Sequence, residues 1–209
     1  MRTITTTTNV YKFEELSPES QANALDKYRE WMTDDPYWYT CETEYHKDLL
    51  TEQGIIKPEI YFSGFWNQGD GAVFECKGFD LYVFINKVVK PLSPYLYDLW
   101  CNDQLDLDFH IVNLHSHSSH ERTAKFEIRD WNFYEDDDDP LPNFDKTNDE
   151  VAQQVEELEK DLEQWRLNTC REIYQALKDE YTLLQSDDVL KEHFIENEYE
   201  FTEDGTMYN

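Results

Sequence analysis

The sequence predicts an α+β protein, because two kinds of apolar periodicity occupy different parts of the chain. Apolar and polar residues alternate in Leu105–Ile111 and Ala124–Arg129, as in half-buried antiparallel strands. From Val151 to Leu184, apolar residues recur every three or four positions, which indicates one long amphipathic helix. We therefore expect a single domain, residues 1–209, with an antiparallel sheet of four to five strands, helices on one face of it, and a long C-terminal helix.

Start signals predict two helices near the N-terminus. Ser17, Pro18 and Glu19 supply a capping hydroxyl, a proline at the first helical position and an acid in the first turn. The run 34–36 repeats this device, and the second helix is expected to end near Gly54 with Cys41 on its apolar face.

The middle of the chain predicts further strands and a turn. Glu59–Phe65 and Ala72–Cys76 flank Trp66–Gly71, whose asparagine and glycines favour a hairpin. Phe79–Ile85 alternates in the manner of another strand, and Ser93–Trp100 is expected to form a short capped helix.

An acidic connection at 135–146 precedes the long helix. Its four consecutive aspartates repel one another, and its two prolines interrupt regular structure. After the long helix, Asp187 or Asp188 is expected to cap a last short helix, and Gly205 marks a C-terminal hairpin.

The charge of the chain limits its possible partners. The sequence has 46 acidic and 18 basic residues, a formal net charge of -28, and residues 130–209 alone hold 25 acids and 6 bases. Solubility needs a charge of only roughly 2–8 in a small domain. Nucleic acid and anionic membranes repel a polyanion, so we expect no direct contact with either and a basic protein as the partner. An aromatic content of 15% indicates a folded chain rather than a disordered one.

Cysteine usage and the N-terminus bear on the compartment. Cys41, Cys76, Cys101 and Cys170 show no C-x-x-C spacing, which favours reduced thiols, with Cys170 on an apolar helix face. The N-terminus has no apolar core of signal-peptide length, and no segment approaches ~18 apolar residues. A cytoplasmic location is the expectation.

A histidine-rich segment is the candidate metal site. In a strand His115 and His117 would point the same way, and with His120 they could hold zinc or nickel. The intervening serines favour the alternative of a solvated hairpin tip. The chain has neither a G-x-S-x-G nor an H-E-x-x-H motif, so we expect neither enzyme activity nor a cofactor.

The candidate partner-binding residues are carboxylates that could imitate the phosphates of a polynucleotide, which carry one charge per ~3.4 Å of axis on each strand. The alternative is an ordinary solvated helix with i,i+4 ion pairs. The candidates come from the acidic connection, two flanks of the long helix and the C-terminal segment: Glu135, Asp136, Asp137, Asp138, Asp139, Glu150, Glu156, Glu157, Asp161, Glu163, Glu196, Glu198 and Glu200.

Three segments carry a resemblance to known proteins. Val10–Ala24 contains Phe13-Glu14-Glu15-Leu16-Ser17, and with Phe62–Phe74 and Glu196–Gly205 it resembles a set of small bacteriophage and prophage proteins that often carry an antitoxin-like label. The resemblance implies a phage-derived protein that acts on a host system in a bacterial cytoplasm. It implies no catalytic residues.

Charge and resemblance together predict an anti-defence inhibitor. It would bind the basic nucleic-acid-binding surface of a host protein, such as a CRISPR effector or a restriction enzyme, by DNA mimicry. The alternative is an antitoxin or adaptor that neutralises a protein by shape, with the Trp66 hairpin in the contact; a metal-dependent enzyme is third. The first hypothesis predicts salt-dependent binding that needs Asp136–Asp139, and the second predicts neither. The oligomeric state stays open.

Overall fold

The computed structural model describes residues 1–4, 7–114, 120–134 and 148–208. The chain consists of two compact units, Met1–Cys41 with Leu177–Asn209, and Glu42–Ala176. The α+β class and the long C-terminal helix are confirmed, whereas the single-domain organisation stays a prediction.

The elements follow in chain order. The helices are α1 (Pro18–Tyr28), α2 (Trp31–Asp34), α3 (Thr40–Glu52), α4 (Leu81–Phe84), α5 (Lys90–Leu92), α6 (Pro94–Cys101), α7 (Asn148–Leu184) and α8 (Asp187–Glu196). Short 3₁₀ helices span Phe13–Glu15, Pro36–Tyr39 and Glu121–Thr123, and a π-helical turn spans Ile85–Val89. The strands are β1 (Tyr11–Lys12), β2 (Ile55–Ile56), β3 (Glu59–Phe62), β4 (Ala72–Glu75), β5 (Gly78–Phe79), β6 (Leu105–Asn113), β7 (Ala124–Phe133) and β8 (Glu200–Phe201).

Among the described residues, the strands form four separate antiparallel pairs instead of one sheet of four to five strands: β1 with β8, β2 with β5, β3 with β4, and β6 with β7. Four of these strands, β1, β2, β5 and β8, have only two residues each, which is shorter than typical strands. The predicted hairpin of β6 and β7 is the longest pair, and its register shifts at a bulge between Asp108 and Phe109.

The prediction of a strand at Phe79–Ile85 holds only for Phe79, which pairs with Ile55 in β5, and is wrong for the residues that follow. The side chain of Asp80 accepts a hydrogen bond from the backbone N–H of Val83 (3.2 Å) and starts α4. The buried residues Phe84, Ile85, Val88 and Val89 then follow helical spacing. The predicted strand ended at residue 85 and therefore left out the last two of these residues. The π-helical turn comes just before Pro91, a residue that lacks an N–H for regular helix bonding.

The predicted helix starts agree with the structure at three places and differ at one. In the run 34–36, the side chain of Asp35 accepts a hydrogen bond from the backbone N–H of Tyr37 at 2.9 Å and starts the helical turn at Pro36. Ser17 and Ser93 accept hydrogen bonds from the backbone N–H groups of Ser20 and Leu96. The last helix is capped by Ser186 and not by either aspartate that follows it. Asp187 and Asp188 instead occupy its first turn, where their charge favours the helix N-terminus.

The prediction for Cys41 is also wrong, whereas Cys170 is buried as expected. Cys41 is exposed because the buried side of α3 carries Thr43 and Leu50, which places the predicted stripe through Cys41 and Tyr45 toward solvent.

The core of the Glu42–Ala176 unit is built around α7. Its buried stripe runs through Val151, Val155, Leu158, Leu162 and Ile173. Trp165 contacts the buried rings of Phe74, Phe84 and Phe126, with centroid distances of 6.1, 5.7 and 6.4 Å. The aromatic residues therefore join α7 to elements that come from distant parts of the sequence.

The other unit has an aromatic core of its own. Phe194 on α8 is fully buried, and its ring centroid lies 5.4 Å from that of Phe13 and 5.2 Å from that of Phe201. Tyr28 and Tyr199 contact the same ring edge-on at 6.2 and 6.3 Å. This cluster fastens the C-terminal segment to the N-terminal one.

The predicted C-terminal hairpin is confirmed by a bridge between Phe201 and Met207. Gly205 has a φ of 81°, and the carbonyl of Ser20 stands where a side chain would begin. A glycine is therefore required here for both conformation and space.

Candidate acidic partner-binding surfaces

One flank of α7 presents its acids to solvent. Glu150, Glu157 and Asp161 are exposed, as is Glu156 on the opposite flank. Glu157 accepts hydrogen bonds from the side-chain amides of Gln153 and Gln154 at 3.0 and 2.9 Å. Their position agrees with the helical spacing, and we call Glu150, Glu157 and Asp161 the α7 acidic flank.

Glu163 has a different role from the other predicted partner-binding residues. Its Oε2 accepts from Arg166 Nε and from the backbone N–H of Phe126, both at 2.8 Å. Its Oε1 accepts from Arg166 Nη2, also at 2.8 Å. This carboxylate is bound inside the unit because it neutralises a guanidinium that is 0% exposed.

Two acids of α7, Glu159 and Glu163, contact the backbone of β7, and Arg166 binds the second of them. Nη2 of Arg166 also donates to the carbonyl groups of Glu121 (2.6 Å) and Ala124 (2.7 Å). Oε2 of Glu159 accepts from the backbone N–H of Ile128 at 3.0 Å. Among the described residues, β7 has a neighbouring strand on one side only. On its other side, the carboxylates of α7 accept hydrogen bonds from the backbone N–H groups of β7.

The exposed face of α8 carries a row of three acids. Asp188, Glu192 and Glu196 follow one another at i,i+4 spacing, so about 6 Å separates successive residues along the axis. Among the described residues, the base nearest to this row is Lys191, whose Nζ lies 4.0 Å from Asp188. We call these residues the α8 acidic row. Of the three, only Glu196 is among the partner-binding residues predicted from the sequence.

Glu198 and Glu200 are exposed but stand beside a base. Nζ of Lys12 donates to the carbonyl of Glu198 at 2.6 Å and lies 4.0 Å from Oε1 of Glu200. Their contribution to a negative surface is therefore partly offset.

The hairpin of β6 and β7 holds an acidic patch that sequence reasoning missed. Asp108 and Asp130 are directly opposed across the ladder, and Asp106 is exposed on the same strand as Asp108. His110 Nε2 lies 3.2 Å from Asp108, and the hydroxyl of Tyr134 donates to Asp106 at 3.0 Å. That hydrogen bond and the charge of Asp106 raise the pKa of Tyr134. The alternating pattern of the sequence could have placed Asp106 and Asp108 on the exposed face of a strand. That Asp130 lies opposite Asp108 could be known only from the register of the two strands.

Because like charges that face each other destabilise a ladder, Asp130→Asn is expected to raise the free energy of unfolding by about 0.2–1 kcal/mol. Urea denaturation at low salt measures this change in the free energy of unfolding. The increase is expected to be smaller in ~1 M salt, because salt screens the repulsion. Glu156→Gln removes one exposed charge from a helix and is expected to change stability by less than about 0.5 kcal/mol. A loss of stability in Asp130→Asn would contradict the repulsion.

Other predicted site residues lie outside the described part of the chain: Glu135, Asp136, Asp137, Asp138, Asp139, His115 and His117. His120 is described, and its Nδ1 accepts from the backbone N–H of Arg122 at 3.1 Å. Within the described ranges, no three histidine, cysteine, aspartate or glutamate side chains are arranged to hold a metal ion.

The cysteine thiols that are most enclosed are poorly ionised. Burial raises the pKa of Cys170 and of Cys76, which reduces the fraction of reactive thiolate.

A family model described as a domain of unknown function (DUF8835) matches residues 38–187. No curated protein matches the chain, and no solved structure matches it. None of the described helices combines the length and the apolar composition that crossing a bilayer requires.

Proposed function

The chain belongs to the DUF8835 family of unknown function, and we propose from its exposed acids that it is a non-enzymatic inhibitor that binds the basic nucleic-acid-binding surface of another protein. Its exposed carboxylates would occupy positions that phosphates take in the natural complex. The resemblance to phage proteins makes a host defence protein, such as a CRISPR effector or a restriction enzyme, the proposed target in the bacterial cytoplasm. This would be DNA mimicry by a phage-derived protein.

The α8 acidic row is the observation that carries the proposal. Glu192 and Glu196 are exposed, and no described base lies within 4.0 Å of either carboxylate. The unit that holds the row has 17 acids against 6 bases in residues 1–41 and 177–209. An ordinary solvated helix gains stability by pairing its charges, whereas this row keeps like charges one turn apart.

The second unit adds surfaces of the same sign. The α7 acidic flank and the opposed Asp108 and Asp130 are exposed, and the ladder bears a stability cost for the opposition. Retaining such a cost is consistent with a role in binding, because a negative field accelerates encounter with a basic partner.

A capture experiment tests the proposal. The protein is immobilised, exposed to bacterial lysate at about 50 and about 200 mM salt, and the retained proteins are identified by mass spectrometry. We expect a nucleic-acid-binding protein that is retained at low salt and released by high salt or by heparin. The row variant Asp188→Asn/Glu192→Gln/Glu196→Gln should bind the purified partner more weakly, by up to about 100-fold if each carboxylate contributes about 0.2–1 kcal/mol.

The matched control removes the same number of charges elsewhere. Glu30→Gln/Asp34→Asn/Glu52→Gln changes three exposed acids outside the row and is expected to keep most of the affinity. Equal losses in the two triple variants would reduce the effect to net charge and contradict a mimic surface. A partner that is retained equally at both salt concentrations would favour the antitoxin or adaptor alternative, in which binding is by shape.

A further inference from the structure

An exposed tryptophan stands on the loop that joins β3 to β4. Trp66 exposes 72% of its surface, and the loop spans Ser63–Gly71. Tryptophan is enriched among the few residues that contribute most of the energy of a protein interface. Its large aromatic face also binds cations. Trp66 is therefore a candidate contact for a partner.

Asp70 holds the backbone of this loop in place. Its Oδ2 accepts hydrogen bonds from the N–H groups of Trp66 (2.8 Å) and Asn67 (2.6 Å). At the ends of the loop, Ser63 N–H donates to the Gly71 carbonyl and Gly71 N–H donates to Ser63 Oγ, both at 3.0 Å. A loop that is ordered before binding loses less conformational entropy in the complex.

The base of the loop is packed on α7. Phe65 is buried, and its ring centroid lies 5.8 Å from that of Phe62 and 5.6 Å from that of Tyr174. The hydroxyl of Tyr174 donates to the carbonyl of Gly64 at 3.4 Å. The loop therefore presents Trp66 from a rigid support.

Two acids, Asp70 and Glu121, act on Tyr174 at the base of the loop. Burial raises the pKa of Tyr174, and the charges of Asp70 and Glu121 raise it further. Glu121 also lies near a base, since its Oε1 is 3.9 Å from Arg171 Nε. The two backbone N–H groups of the loop use Oδ2 of Asp70, and no described residue donates a hydrogen bond to Oδ1 of the same half-buried carboxylate.

We propose that the Ser63–Gly71 loop is an arginine-binding site, at which a guanidinium group of the protein partner stacks on the Trp66 indole and donates to Asp70. A planar guanidinium combines stacking with hydrogen bonding, which a lysine ammonium cannot do. The inference rests on the proposed function, which requires a basic partner. It adds that the partner presents arginine at this point.

Two cationic peptides test the site. The protein is labelled with 5-fluorotryptophan at its 6 tryptophans, and Trp66→Phe identifies the fluorine resonance of Trp66. Decaarginine is expected to shift that resonance, whereas decalysine binds the acidic surfaces without shifting it. Trp66→Ala is expected to weaken decaarginine binding by about two- to fivefold and to leave decalysine binding unchanged.

The control and the outcomes separate this inference from the proposed function. Tyr82 is exposed to 70%, and Tyr82→Ala is expected to leave both affinities unchanged. Equal responses to the two peptides, or a Trp66 resonance that does not move, would overturn the arginine site and leave the electrostatic proposal standing. Absence of binding by both peptides at about 50 mM salt would overturn both.

Discussion

Glu163→Gln is expected to destabilise the Glu42–Ala176 unit by roughly 3–5 kcal/mol, because it leaves the guanidinium of Arg166 buried without its counter-charge. Arg166 is 0% exposed, and Glu163 binds it through both carboxylate oxygens at 2.8 Å. The amide of glutamine retains one acceptor but no charge, and its NH₂ group would face the donors of Arg166. Urea denaturation followed by tryptophan fluorescence measures the loss.

A double-mutant cycle distinguishes the ion pair from general packing. Glu163→Gln/Arg166→Met removes both charges and is expected to cost less than the sum of the two single changes, since neither partner is then left buried alone. Arg171→Gln is the control, because the Arg171 side chain is 52% exposed and its contact with Glu121 is 3.9 Å long. A change there is expected to stay within about 1 kcal/mol. Additive losses would contradict the coupling.

Phe194→Ala is expected to destabilise the unit that joins the two chain ends by about 3–5 kcal/mol. The ring is fully buried between Phe13 and Phe201, and it is part of the helix that carries the α8 acidic row. Removal of the ring leaves a cavity and loses contacts that connect α8 to the N-terminal segment. Thermal and urea unfolding measure the effect.

Ile195→Ala is the matched control, since Ile195 is the next residue of α8 and is 44% exposed. It is expected to change stability by less than about 1 kcal/mol. If the acidic row functions as a rigid surface, Phe194→Ala is also expected to weaken partner binding although no carboxylate has changed. Undiminished affinity in a destabilised Phe194→Ala variant would indicate that α8 does not need its packing to bind.

The acidic positions connect stability with the proposed function in opposite directions. Neutralising Asp130 is expected to stabilise the β6–β7 hairpin, whereas neutralising the α8 acidic row is expected to weaken binding. Under the proposed function, the acidic surface is kept for its partner at some cost to the stability of the isolated fold. Glu163 is different, because its ion pair with Arg166 stabilises the fold.

Local patterns were sufficient for much of the architecture. The alternation in Leu105–Ile111 predicted a strand, and the three-and-four spacing after Val151 predicted α7. Ser17 and Ser93 capped helices as expected, since capping depends on residues three apart in sequence. The strand predicted at Phe79–Ile85 was wrong after Phe79 because five apolar residues in a row are compatible with both the strand period and the helix period. The N-cap at Asp80 starts a helix there.

Composition and local spacing established a folded, highly acidic α+β chain with a long terminal helix. They could not sort the carboxylates by role. Glu157 and Glu163 lie on the same helix, but Glu163 is on the side of α7 that contacts β7, and it binds Arg166, whereas Glu157 accepts hydrogen bonds from glutamines of its own helix and faces solvent. The opposition of Asp108 and Asp130 depended in the same way on strand register. Burial and register arise from contacts between residues far apart in sequence, so only the folded chain separates the acids that hold it together from those that face solvent.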